Sequence, residues 1–270
     1  QGSAGRENWH LTVKGAVKDF LALSGMDLQS SLSGKNLSEL GVLIEAKLPA
    51  TDQFEIQGRL TGSTDGLTLQ EATASASLGS MHLSLTGAVK ELLTLRGIDL
   101  QSSLSGRELA EIGPVLGAEM PQLGAFDAKG RISGSPQSLS LDKFTAIVDQ
   151  SDFKGLAKVE FLKRPKITIR LESSVIDFTA LMKSSEEDEQ KTVNKETQKR
   201  RLFSDAPMPL DLLKKMDADI QLKARNIHAK NARLDFGHMI LKLEEQDFSI
   251  DKLEATYKET KISGNIQISA

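Results

Sequence analysis

Residue types that commonly carry out chemistry are few in this chain of 270 residues, and they stand apart from one another. Four histidines occur in it: His10, His82, His228 and His238. None of them forms the His-x-His or HExxH spacing of a zinc site, and the chain has no cysteine, which excludes thiol catalysis, disulfides and thiolate metal ligands. The serine pairs at 30–31 and 102–103 fall in predicted strands without a nearby base, so we do not expect a nucleophilic serine. We therefore predict a protein that is not an enzyme and has no metal or cofactor.

Charge and composition exclude further classes of function. The chain carries 34 basic and 37 acidic residues, a net charge of −3, so no overall field attracts nucleic acid. Aromatic residues make up 4%, too few for stacking on bases. A hydrophobic content of 39% with so few aromatics is low for a compact domain of this length and favours a thin or elongated architecture. No apolar run approaches the roughly 20 residues that a membrane-spanning helix needs.

An internal duplication is the strongest signal in the sequence. The segment LTVKGAVKDFLALSGMDLQSSLSGKNLSELG begins at Leu11, and LSLTGAVKELLTLRGIDLQSSLSGRELAEIG begins 72 positions later at Leu83. About 30 of the 72 aligned positions from Leu11 onward are identical. His10 and His82 are copies of one repeat position on the polar side of a strand, which is typical of a structural role.

Each copy of the repeat consists mostly of strands. Apolar and polar residues alternate with period two around Leu11, Phe54 and Leu67, which predicts strands with one apolar face. One segment departs from this pattern, because Asn36 can cap a short helix with Glu39 three residues on. We predict about four antiparallel strands and one short helix in each copy.

The chain divides along its length as follows: the end of a preceding repeat (1–10), repeat unit 1 (11–82), repeat unit 2 (83–154), a degenerate continuation (155–182), a charged linker (183–206) and a C-terminal strand module (207–270). The linker contains SSEEDEQKTVNKETQKRR, which has almost no apolar residue and is predicted to be disordered and cut first by proteases. Because the chain begins inside a repeat, we expect it to be part of a longer protein.

The apolar strand faces must be covered by something. A sandwich of two sheets, a solenoid coil and a curved sheet filled by ligand all satisfy this, although no threefold subperiod of the 72-residue repeat supports a parallel β-helix. We predict a mainly β, elongated, antiparallel repeating β-groove, a curved sheet with short helices between strand groups. Its predicted lining is rich in leucine and isoleucine, which suits acyl chains: Leu11, Val13, Phe54, Ile56, Leu60, Leu67, Leu69, Leu83, Leu85, Phe126, Ile132, Leu139 and Leu141.

The strand pattern resembles the AsmA-like family of Gram-negative envelope proteins, relatives of TamB and of the eukaryotic chorein-type bridge proteins. The resemblance lies in the doubled segment, quoted around Leu83 to Phe144 as LxLxGAVK–LLxLxGxDLQSSLSGRELAEIGPVLGxxxP–FxAKGRISGSPxxLSLDKF, and in the C-terminal stretch from Pro207 onward. It implies a periplasmic protein anchored in the inner membrane, with an open apolar trough that conveys phospholipid toward the outer membrane. The membrane anchor is then expected outside this chain, and no catalytic residue is implied.

Two classes of function follow from this sequence. The first is a lipid-binding or lipid-transfer module whose partners are phospholipid and the inner and outer membranes, with no nucleic acid. The second is a structural or assembly protein of the envelope, a scaffold or passenger adhesin, with a dry protein core.

Overall fold

The computed structural model describes residues 2–6, 8–43, 48–116, 120, 122–179, 216–229, 232–245 and 247–268. The predicted charged linker at 183–206 lies outside these residues. Contacts divide the chain into two compact units, formed by 1–120 with 125–146 and by 121–124 with 147–270. No helix among the described residues is long and apolar enough to cross a membrane.

The protein is mainly β, as predicted, with one long open sheet of sixteen strands. Fifteen of them lie side by side in chain order, and the remaining strand, β12, pairs with β13. The strands β1 to β9 span Gly2–Arg6, Trp9–Asp19, Ser24–Gly34, Gln53–Ser63, Gly66–Leu78, Met81–Glu91, Arg96–Gly106, Phe126–Ser135 and Ser138–Val148. The strands β10 to β16 span Ser151–Glu160, Lys166–Ser173, Ile176–Asp177, Asp217–Ala229, Ala232–Glu244, Asp247–Tyr257 and Thr260–Ile268. The sheet is mostly antiparallel, and β13 is the exception because it pairs in parallel with both β11 and β12.

The two copies of the repeat have the same strand count, and the first three strands of each copy pair in the same register. Strands β2 to β5 form the first copy and β6 to β9 the second. Leu11 lies opposite Leu32 in β3, and its copy Leu83 lies opposite Leu104 in β7. The expected boundary between residues 82 and 83 falls inside β6, so the start of a repeat unit is a choice of phase in a continuous series of strands.

A short helical segment follows the second strand of each copy. In the first copy it is the helix α1, Ser38–Leu43, and the Asn36 carboxamide oxygen accepts a hydrogen bond of 3.1 Å from the Ser38 amide, as a capping residue should. Glu39 does not complete the predicted capping box, because its carboxylate accepts from the side chain of Asn8 instead. In the second copy a 3₁₀ turn, Leu109–Ile112, leads into the helix α2, Gly113–Leu116.

A β-bulge interrupts the fourth strand of the first copy. Leu69 pairs with Leu60 and Thr73 pairs with Gln57, so β5 has one residue more than β4 between these pairs. Glu71 occupies the left-handed region with a φ of 51°, and its copy Lys143 has the same φ. The extra residue reverses the alternation, so that Ala72 joins Leu69 on one face of the sheet.

Candidate functional site: the apolar face of the first unit

Strand pairing collects the predicted lining residues on one face of the first unit. Residues directly opposite each other in an antiparallel pair project on the same side of the sheet. Leu11 lies opposite Leu32, which lies opposite Ile56, and equivalent steps lead across the sheet to β8. Eleven predicted residues share this face by register: Leu11, Val13, Phe54, Ile56, Leu60, Leu67, Leu69, Leu83, Leu85, Phe126 and Ile132.

The two predicted residues of β9 lie on the same face. A methyl group added to Gly130 would lie 2.6 Å from Cδ1 of Leu141, and one added to Gly58 would lie 2.6 Å from Cδ1 of Leu69. Leu139 lies two residues before Leu141 in β9, so its side chain projects on the same side of the sheet. All thirteen predicted residues therefore lie on one side, which we name the apolar face.

The predicted lining left out the apolar positions of the second strand of each copy. The apolar positions of β3 are Met26, Leu28 and Leu32, and those of β7 are Ile98, Leu100 and Leu104. These apolar residues recur at every second position of the sequence, except where Ser30 and Ser102 take the place of an apolar residue. Each of these serines donates its hydroxyl hydrogen bond to the carbonyl of the glycine opposite, Gly58 at 3.1 Å and Gly130 at 2.9 Å. A serine satisfied in this way can occupy an apolar face without leaving a polar group unpaired.

The apolar face is only partly covered by the described residues. Phe54 and Phe126 are buried, with 4% and 5% of their surfaces exposed. Their rings pack across glycines of the neighbouring strand, since a methyl group at Gly34 would lie 2.8 Å from Cε1 of Phe54. The other eleven predicted residues are of intermediate exposure. The face thus presents leucine, isoleucine and valine side chains that the fold itself leaves accessible.

The opposite face of the first unit is polar and bears a repeated ion pair. Arg59 donates to both carboxylate oxygens of Asp27, at 2.6 and 2.7 Å. Arg131 donates to Asp99 at 2.6 Å twice, in the same geometry 72 residues later. The hydrogen bond from each guanidinium lowers the pKa of the partner carboxyl below its ordinary value. These carboxylates are therefore engaged in structural pairs.

Residues of the types that bind metal ions are dispersed along the described part of the chain. No group of three or more His, Cys, Asp or Glu that could hold a metal ion occurs in the described part of the chain. His10 contacts the hydroxyl of Thr12 at 3.1 Å on the exposed side of β2, and His82 is likewise exposed.

The second unit also has one apolar side, and three apolar residues of this unit are almost completely buried. Ile169 lies beside Ile220, which lies opposite Leu241, across the parallel pair β11–β13 and the antiparallel pair β13–β14. Ala224 and Leu243 are each 1% exposed and Ile176 is 4% exposed. This unit therefore contains a small interior of its own.

No protein-family model, curated protein or solved structure matches this chain. The likeness to AsmA-like proteins rests on the sequence pattern, and the structure shows a long, mostly antiparallel β-sheet protein whose first unit carries a partly exposed apolar face.

Proposed function

We propose that the apolar face of the first unit holds the acyl chains of phospholipid. The observation that supports the proposal is that the strand register places the predicted lining side chains on one face, where most of them remain partly exposed. Thirteen predicted positions fall on one side of the sheet formed by β2 to β9, and eleven of them stay partly exposed in the described structure. Such a face needs an apolar partner in water, because roughly 25 cal/mol is gained for each Å² of apolar surface that is covered.

The chemistry of the face suits a fluid ligand. Aliphatic side chains dominate it, and the serines on it have their hydroxyls bonded to backbone carbonyls. Each methylene group that leaves water contributes about 0.8 kcal/mol, so a sixteen-carbon chain would gain on the order of 10 kcal/mol before ordering costs. Because this gain is spread over many contacts, no single lining residue is essential for holding lipid.

The proposed activity is lipid transfer in the periplasm by an AsmA-like protein. In this proposal the sheet curves into an open groove, the apolar face forms its floor, and phospholipid passes between the inner and outer membranes. The proposal includes an anchor of the protein in the inner membrane. The repeat supports the proposal, because repeated copies of one strand group extend the same apolar face along the sheet.

Site-specific photo-crosslinking to phospholipid tests the proposal. A photoreactive side chain replaces Leu85 or Ile132 on the apolar face, and in matched controls it replaces Ser84 or Thr86, which are exposed on the other side of β6. We expect labelled phospholipid at the first two positions and none at the controls. Equal labelling of both faces, or no labelling of either, would show that the apolar face does not hold lipid.

A second candidate function, a structural protein of the envelope, is favoured by the packing of the second unit. The nearly complete burial of Leu243 and Ala224 is what a dry protein core requires. Native mass spectrometry of the purified chain separates the two candidates. Bound phospholipid supports the transfer module, and a chain that carries no lipid after purification from membranes supports the structural role.

A further inference from the structure

Two hairpin tips of the first unit expose large apolar side chains to water. At the turn between β2 and β3, Phe20 is 79% exposed and Leu21 is 97% exposed. At the turn between β6 and β7, Leu93 is 69% exposed and Leu95 is 51% exposed. Leu93 is the repeat copy of Leu21. These side chains contribute little to folding, because most of their surface stays in contact with solvent.

The backbone conformation at these tips disfavours the leucines found there, so the stability of the fold does not explain them. Leu23, with 41% of its surface exposed, has a φ of 45°, and its copy Leu95 has a φ of 52°. This left-handed conformation is sterically unfavourable for leucine, and glycine or asparagine adopts it more easily. Both copies nevertheless carry leucine there, which suggests that the exposed side chain serves a purpose outside the fold.

Each tip is held by an acidic residue and flanked by a lysine. The Asp19 carboxylate accepts hydrogen bonds of 3.0 Å from the amides of Leu21 and Ala22, which fixes the first turn. The aliphatic stem of Lys18 packs against Gly25 across the hairpin, since a methyl group at that glycine would lie 2.9 Å from its Cβ. Lys90 packs against Gly97 in the same way in the second copy. The result is an apolar tip with a lysine stem behind it, an arrangement typical of side chains at a water–lipid interface.

Strand direction places the two tips on one edge of the first unit. Strands β2, β4 and β6 run in the same direction because each successive pair is antiparallel. The β2–β3 and β6–β7 turns therefore project from the same edge, separated by four strand spacings, about 19 Å. The turn between them contains Thr64 and Asp65 and is polar. We name this edge the hairpin-tip edge.

We propose that the hairpin-tip edge of the first unit docks on a phospholipid bilayer by inserting the tips at 20–23 and 92–95. A protein partner is less suited to this surface, because stable protein interfaces bury about 800 Å² of continuous surface on each side, whereas here a polar turn separates two small projections. A bilayer accepts separate projections at once, since its surface adapts to each of them.

Charge at this edge identifies the kind of lipid surface. Lys18, Lys90 and Arg96 are balanced by Asp19, Asp65 and Glu91. Insertion of the apolar side chains therefore supplies the affinity, and zwitterionic phospholipid is sufficient without anionic headgroups.

A hairpin turn of the second unit also exposes large apolar side chains. At the turn between β10 and β11, Phe161 is 50% exposed and Leu162 is 63% exposed. Basic residues follow directly at Lys163 and Arg164, and Arg164 is bonded to Asp217. The same hairpin position thus carries exposed apolar side chains in three places along the chain.

Flotation of the full chain with phosphatidylcholine vesicles tests the proposal. The variant combines Leu21→Ser and Leu93→Ser, and the matched control combines Ile147→Ser and Ile262→Ser, two exposed strand residues that are each 59% exposed. We expect the tip variant to lose at least about tenfold in vesicle partitioning, since removing even one inserted leucine costs that much. The control and the presence of 0.5 M salt should leave binding within about twofold, because screening affects charges and leaves apolar insertion intact.

A fluorescence experiment reports insertion directly. Tryptophan replaces Leu21 in a Trp9→Phe background, which removes the single natural tryptophan. Quenching by brominated acyl chains supports insertion. A tryptophan that vesicles do not quench, or a tip variant that binds vesicles as well as the unchanged chain, would overturn the proposal. The proposal would also be overturned if the tip variant only dissociated an oligomer in sedimentation and kept its vesicle binding.

Docking at this edge and acyl-chain binding on the apolar face can fail separately. The tip variant should still crosslink at position 85 when phospholipid is supplied in detergent micelles, because Leu21 and Leu93 are not part of the apolar face. Lost crosslinking with intact vesicle binding would count against the proposed function and leave bilayer docking standing.

Discussion

Two charges placed on the apolar face provide the sharpest test of lipid transfer. In the double variant Leu85→Asp with Ile132→Asp, the two carboxylates lie two strands apart in β6 and β8 and two residues apart along the strand direction. Their separation is therefore about 12 Å. Both side chains are partly exposed, so the carboxylates can stay hydrated and the sheet should survive a loss of about 1–2 kcal/mol for each leucine or isoleucine removed.

The effect on lipid follows from the methylene groups that the charges displace. If each hydrated carboxylate keeps about four methylenes away from the face, the two together remove roughly 6 kcal/mol of acyl-chain binding. That corresponds to about four powers of ten in occupancy. The single variant Leu85→Asp should lose about half of this free energy, so lipid that reaches the face is still held in part.

The assay follows transfer of a fluorescent phospholipid from donor to acceptor vesicles. The matched control is Thr86→Asp with Ser105→Asp, which adds two charges on the polar side of β6 and β7. We expect the apolar-face variant to fall to the uncatalysed rate and the control to transfer at the rate of the unchanged chain. Circular dichroism verifies that both are folded. Equal rates for the two variants, with both folded, would refute the assignment of the apolar face as the path of the lipid.

Two further predictions concern the stability of the first unit. Gly87→Ala should lower the free energy of unfolding by about 3 kcal/mol, because Gly87 has a φ of 151° and an added methyl group would overlap the carbonyl oxygen of Asp99. Gly130→Ala should lower it by less than about 1.5 kcal/mol, because the end of the Leu141 side chain can move away from the added methyl group. Equal urea midpoints for the two variants would contradict this prediction. The ion pairs also predict a dependence of stability on pH, because the arginine partners lower the pKa values of Asp27 and Asp99. The pairs therefore stabilise the fold at pH values above the unfolded-state aspartate pKa of about 3.9. This stabilisation disappears as the pH falls through the lower pKa values of the folded state. The urea midpoint of Arg59→Gln with Arg131→Gln should accordingly lie below that of the unchanged chain at pH 5 and approach it at pH 2. The exposed Lys14→Gln serves as the charge control. A constant difference over that pH range would argue against these carboxylates as the source.

The duplication allowed much of the first unit to be predicted from sequence. Residues that alternate with period two must project to opposite sides of a strand, so Leu11, Phe54 and Leu83 could be assigned to an apolar side before any pairing was known. The helix after β3 was predictable because Asn36 caps locally, within two residues of its partner Ser38. The ion pair of Arg59 with Asp27 could not be predicted in the same way, because its partners are 32 residues apart and meet through the register of β3 with β4.

Sequence by itself determined the repeat, the strand periodicity and the identity of the apolar side, because these depend on the spacing of neighbouring residues. Tertiary structure decided where that periodicity breaks and what remains exposed. The bulge at Glu71 reverses the alternation in β5, and the parallel pairing of β11 with β13 joins strands that are distant in the chain. Exposure of Leu21 likewise depends on what packs around it, since the same leucine would be buried if another element covered the turn. Local spacing fixes the direction in which a side chain projects, and only the assembled sheet fixes what it meets there.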